Sequence, residues 1–152
     1  MPAPLLIRRA TETEIPLILA LVAGGASPGK PHAESAKPEQ YLGAFRKIDA
    51  DPRQLLMVAE QDGEVVGTFQ LTEIQHLAFG GGRSAVIEAV HVRADLRSRG
   101  LGAAMMRWAI DEARRRGCMR VQLTSNKDRQ DAHRFYQRLG FSRSHEGFKL
   151  LL

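Results

Sequence analysis

The chain has 152 residues, 43% of them hydrophobic and 26% charged, enough for one sizeable core and too apolar for a disordered chain. No apolar run approaches the roughly 20 residues that a membrane helix needs. Met1-Pro2-Ala3-Pro4-Leu5-Leu6-Ile7-Arg8 lacks the basic start and long apolar stretch of a secretion signal. The net charge of +5 and an isoelectric point near 9.9 favour an anionic partner without choosing among nucleic acid, a membrane surface and a phosphorylated cofactor.

Leu5 to Arg9 reads as a first strand. Thr11 and Glu14 then stand at capping-box spacing, with Pro16 opening an apolar helix that runs to about Val22. Gly24 to Pro38 is the most loop-like stretch. A second helix is expected over Glu39 to Ile48, with Tyr41, Leu42, Phe45 and Ile48 on one side. Leu55 to Glu60 and Val65 to Ile74 read as a hairpin about Asp62-Gly63, and three glycines, Gly80 to Gly82, mark a flexible turn. Ala85 to Arg93 is rich in Val and Ile, as a buried strand should be. From Leu101 onward Met106, Ala109, Ile110 and Ala113 recur at helical spacing, and Gly117 supplies a C-cap. Met119 to Thr124 is a further strand, Gln130 to Leu139 a short helix stopped by Gly140, and Phe141 to Leu152 one or two closing strands around Glu146-Gly147. The pattern predicts one α/β (α+β) domain over residues 1–152, built on a mixed sheet of 6–7 strands with about four helices. Its first half is antiparallel, and a parallel pair flanks the central helix.

Between the central strand and the central helix lies Arg97-Ser98-Arg99-Gly100-Leu101-Gly102, a basic, glycine-bearing bend. A bend of this kind presents unpaired backbone N–H groups at the positive end of a helix dipole, and glycine lets a phosphate come close. Tight packing of strand onto helix through Gly100 and Gly102 is the competing reading. Aromatic content is only 6%, and Arg114-Arg115-Arg116 falls at the end of a predicted helix, where cations complement the dipole, so no nucleic-acid surface is expected. Cys118 reads as a packing residue. As the single cysteine it offers no disulfide and no metal-ligand pair, which suits a reducing cytoplasm.

Three segments together resemble the GNAT superfamily of acetyl-CoA-dependent N-acetyltransferases. Arg97 to Gly102 is similar to its pyrophosphate motif, Leu123-Thr124-Ser125-Asn126 to the end of its fifth strand, and Ala132-His133-Arg134-Phe135-Tyr136-Gln137-Arg138-Leu139-Gly140-Phe141 to its following helix. The resemblance implies acetyl-CoA as co-substrate, and no His/Cys/Asp/Glu spacing suggests a metal. The backbone of Arg97, Ser98, Arg99, Gly100, Leu101, Gly102 and Ala103 would seat the pyrophosphate. The central-strand backbone of Val90, His91 and Val92 would pair with the pantetheine arm as an added strand does, with an N–H near Val90 stabilising the oxyanion. Ala132 and Phe135 would line the coenzyme.

The resemblance makes Tyr136 the acid that reprotonates the departing thiolate; otherwise it is a half-buried core ring. Glu88 is either a general base or a residue of a solvated strand face. Family members often carry a second acid after it, where this chain has Ala89. Asn126 is either a partner of the pantetheine arm or a turn cap. His91 reads as a packed strand residue by its side chain. His133 and Arg134 read as surface positions, with Arg134 able to reach the 3′-phosphate.

The resulting expectation is direct acetyl transfer to a primary amine of a small molecule or peptide, in the cytoplasm, with no nucleic-acid or membrane partner and with the homodimer that family members often form. The alternatives are a non-catalytic acyl-CoA-binding or regulatory domain and, from the isoelectric point alone, a nucleic-acid-binding module. The resemblance implies an acceptor pocket built from Gly24 to Pro38, Tyr41, Phe45, Gln75 to Gly82 and His145 to Phe148, a set that encodes no recognisable acceptor.

Overall fold

The computed structural model describes residues 1–25 and 37–152; most of the predicted Gly24–Pro38 loop, residues 26–36, lies outside the described residues. The chain divides into two compact units, Met1–Gln122 and Leu123–Leu152.

In the first unit, β1 (Leu6–Arg9) pairs antiparallel with β2 (Gln54–Gln61), which pairs antiparallel with β3 (Glu64–Gln75). β4 (Arg83–Val92) continues the antiparallel run, and the short β5 (Arg120–Gln122) adds parallel to it, giving the order β1-β2-β3-β4-β5. The β2–β3 connection is the predicted Asp62-Gly63 turn, with φ of 53° and 79° at the two residues, the double positive φ of a type I′ hairpin. Ala78–Gly81 forms one helical turn broken by left-handed backbone at Phe79 (φ 56°) and Gly80 (φ 67°).

Helices cover both faces of this sheet. After a 3₁₀ turn at Glu12–Glu14, α1 runs over Ile15–Gly24, and α2 spans Pro38–Ala50. The Glu14 carboxylate accepts the Thr11 backbone N–H at 2.8 Å, the return half of the expected capping box, and Arg8 grips the same carboxylate at 2.5 Å. Ile18 of α1 and Phe45 of α2 pack with Ala10 and with Val58 of β2. Strand alternation sends Val58 and its partner Thr68 to this face and their neighbours to the other.

On that opposite face lies α3 (Leu101–Arg115), burying Leu101, Met105, Met106, Ala109 and Ala113. Phe69 meets Trp108 with ring centroids 5.9 Å apart. Gly67 leaves room for Met105, since a Cβ there would fall 2.6 Å from Met105 Sδ. At the far end of α3, Gly117 takes φ 77° past the last turn, as a C-capping glycine does. Arg116 there reaches the buried Glu73 of β3 at 2.6 Å and Glu112 at 2.8 Å, fixing the helix against the sheet.

The second unit holds α4 (Gln130–Arg138), which stops at Gly140 with φ 98° as expected. Two expectations are corrected here. Among the described residues the sheet has five strands instead of six or seven, and Phe141–Leu152 forms no strand. A strand exists by virtue of a ladder partner, not of apolar content alone, and this stretch has none. Its Phe148, Leu150 and Leu151 are exposed.

Candidate active site

The bend after β4 is open. Ala94–Leu96 makes a 3₁₀ turn, Arg97 to Gly100 are all exposed, and the buried Leu101 anchors the start of α3. Backbone φ is −64° at Arg97, +62° at Ser98 and +81° at Gly100. Extended backbone at Arg97 followed by left-handed backbone at Ser98 and Gly100 turns the chain sharply into the first turn of α3. The first helical bond is donated by the Ala104 N–H to the Gly100 carbonyl at 3.0 Å. No backbone N–H from Arg97 to Ala103 makes a hydrogen bond of ordinary geometry to a described residue. These donors stand at the positive end of a fifteen-residue helix. At Gly100 no described atom lies within 4 Å of where a Cβ would point, so no described neighbour packs against that glycine.

The strand leading into the bend is open as well. β5 pairs with β4 only from Ser84 to Val86, so no β5 residue covers Ile87 to Val92. Arg93 donates its N–H to Val66 O on β3 at 2.8 Å, which by alternation directs the Val92 N–H to the uncovered side. An extended amide-bearing chain could pair there as an added strand.

Inside β4 the register slips. Thr68 pairs with His91 and Gln70 with Glu88, so Ala89 and Val90 together oppose Phe69. Ala89 carries φ 51°. This is a β-bulge, and left-handed backbone on an L-residue with a Cβ costs on the order of 1–2 kcal/mol. Its consequence is chemical. Residues three apart on a regular strand point to opposite faces, but the extra residue returns Glu88 and His91 to the same face, that of α1 and α2. Glu88 is exposed there, with no ion pair or hydrogen bond among the described residues. The His91 ring lies against the end of α1, where a Cβ on Gly25 would fall 2.1 Å from Nδ1.

In the second unit, Tyr136 sits between Phe135 and Phe141, at ring-centroid distances of 5.1 and 5.8 Å. Burial pushes its phenol above the ordinary value of 10, with Arg129 acting weakly the other way. It therefore stays protonated at neutral pH, as a proton donor must. Asn126 shapes the turn before α4: its Oδ1 accepts the Asp128 N–H at 3.0 Å and its carbonyl accepts from Arg129, while His133 Nε2 lies 2.9 Å from the same carbonyl. Ala132 and Phe135 are half-buried on α4, and the exposed Arg134 pairs with Asp131. His133 is less of a surface residue than expected, with Nδ1 buried and unpartnered among the described residues.

The sequence model of the Acetyltransferase (GNAT) family matches residues 25–141. The chain belongs to the GNAT acetyltransferase family. It is 33% identical over 146 residues to the aminoalkylphosphonate N-acetyltransferase of Salmonella typhimurium, a match covering 93% of this chain and 88% of that protein. A structure from Bacillus halodurans C-125, described as a transcriptional regulator, superimposes with a TM-score of 0.89 at 37% identity, covering 98% of this chain and all of that one. Glucosamine-6-phosphate N-acetyltransferase of Arabidopsis thaliana shares the fold with a TM-score of 0.81 at 19% identity, over 98% and 99% of the two chains.

For this acetyltransferase the residue-level reading missed the bulge, because Ala89 carries no glycine signal for a left-handed position. It also missed Gly67, although a glycine inside a strand marks a close approach. Of the expected acceptor-pocket positions, Phe45 is turned into the core: it is 8% exposed and belongs to the packing between α2 and β2. Gln75 to Gly82 form the turn at the N-terminal end of β4, the end remote from the bend. The Cys118 thiol is partly buried and pushed up by that burial, in keeping with a packing role.

Proposed function

We propose that this acyltransferase moves an acetyl group from acetyl-CoA directly to the primary amine of a small acceptor, with aminoalkylphosphonates as the acceptor class to try first. The observation that carries the reading is the bend from Arg97 to Ala103, whose exposed N–H groups are unspent at the mouth of α3. The open edge of β4 leads from it to the bulge. The diphosphate sits on the bend and the pantetheine arm runs along Val90 to Val92, which brings the thioester to the widened stretch of strand. The acceptor class is suggested by the Salmonella relative.

In this reaction the acceptor nitrogen forms a bond to the thioester carbonyl carbon, and strand amides near Val90 hold the oxyanion. Glu88 takes the ammonium proton before attack, directly or through water. The C–S bond then breaks, Tyr136 supplies the proton that the thiolate needs to leave as thiol, and the second proton shed by the acceptor nitrogen restores the phenol. Asn126, Ala132 and Phe135 contact the coenzyme arm. The assay is release of free thiol from acetyl-CoA in the presence of an amine panel containing 2-aminoethylphosphonate, aminoglycosides, polyamines and amino acids. Amine-dependent release supports transfer. Binding of acetyl-CoA with no release by any amine supports instead a coenzyme-binding regulator, a reading that the relative described as a transcriptional regulator keeps in view.

A further inference from the structure

A cleft of about 640 Å³ opens beside the bend, and its lining includes Arg8, Glu14, Leu21, Val92, Arg93 and Arg97. Two of these arginines are held by carboxylates: Arg8 by Glu14 and Glu60, Arg93 by Glu64 and Asp95. Arg97 pairs with no acid among the described residues. Its Nη2 donates to the Gly24 carbonyl at 2.8 Å and its Nε to the Val92 carbonyl at 3.3 Å. Gly24 ends α1, and its carbonyl is one of those a helix end leaves without an intrahelical partner. A cation is favoured there by the helix dipole as well. The same helix end meets the sheet a second time, through Gly25 on the His91 ring. One side chain of the bend thus ties the last turn of α1 to the last residue of β4.

We propose that Arg97 is a positioning residue with divided duties. Its backbone serves the coenzyme phosphates, while its guanidinium fixes the C-terminal end of α1, whose Leu21 and Gly24 line the cleft beside the bend that receives the acceptor. The proposal rests on the acetyltransferase reading for its functional consequence. A planar fork suits the task because it can address two divergent carbonyls at once, which the single ammonium of lysine cannot do in the same geometry. It predicts that the conserved charge at position 97 is insufficient and that the loss appears on the acceptor side.

The test uses the full chain as wild type, Arg97→Ala, Arg97→Lys and Gly25→Ala. Three quantities are read: hydrogen exchange over the last turn of α1, coenzyme A affinity by calorimetry, and KM for 2-aminoethylphosphonate or the best amine of the panel. The reporting amide is that of Gly25, which donates to Val22 O at 3.1 Å. Arg97→Ala is expected to speed exchange there about tenfold and to raise the acceptor KM by about as much, with coenzyme affinity changing less than about threefold. Arg97→Lys rescues neither loss. Gly25→Ala, which lifts the helix end off His91 without touching the bend, reproduces both. Coenzyme affinity falling about tenfold with exchange unaltered would make the guanidinium a phosphate ligand and overturn the proposal. If wild type fails to bind coenzyme A, the acetyltransferase reading falls. The tie is then judged by exchange alone, and unaltered exchange in Arg97→Ala overturns it.

Discussion

In the proposed mechanism Tyr136 and Glu88 carry the two proton transfers, and each role has a distinct signature. Tyr136→Phe keeps the ring between Phe135 and Phe141 and removes only the hydroxyl. It should slow a chemistry-limited turnover about 100-fold while leaving coenzyme affinity within about twofold. Because burial raises the phenol above 10, its acid form persists through neutrality. The alkaline fall in kcat should therefore lie above that ordinary value in wild type and be missing from the Phe variant. Unchanged turnover would remove the assignment. Glu88→Gln should cost about 100-fold at neutral pH and recover as pH approaches the pKa of the acceptor amine, where free amine arrives without help. An unaltered rate profile would leave Glu88 as a solvated strand residue. That Glu88 and His91 share a face could not be read from their spacing. It depends on the left-handed backbone of Ala89, and alanine gives no sign of adopting it.

Among the elements, α3 governs the site because its first turn is the bend. Its placement depends on Gly67, where a new Cβ would meet Met105 Sδ at 2.6 Å and the His91 carbonyl at 3.2 Å. The thioether can swing aside, but the carbonyl belongs to β4 and cannot. Gly67→Ala should thus cost about 1–3 kcal/mol in thermal or denaturant unfolding and weaken coenzyme binding as α3 and β4 shift. A variant as stable as wild type would show that the contact yields more easily than the geometry implies. The bend itself was legible because its chemistry is local: basic residues and two glycines at a strand-to-helix junction. The hairpin at Asp62-Gly63 and the caps at Thr11–Glu14 and Gly117 were legible for the same reason. The strands expected in Phe141–Leu152 failed because pairing is a long-range property that five apolar residues cannot announce. Phe45 misled for a related reason: a helix face can be recognised in sequence, but not which neighbour it is buried against.

At the scale of the molecule, the edge of β4 beyond Val86 and the mouth of α3 follow one another along the chain, and both leave backbone groups unspent among the described residues. None of the described helices is long and apolar enough to cross a membrane. The excess of positive charge complements a polyanionic coenzyme without locating it; the proposed location rests on the unspent backbone N–H groups between Arg97 and Ala103. The direct measurement is a titration of the isotopically labelled protein with coenzyme A, followed through its backbone amide resonances. The account predicts that the largest shifts fall on Ser98 to Ala103, with smaller ones on Val90 to Val92. Coenzyme binding that leaves the amides of the bend unmoved would contradict it.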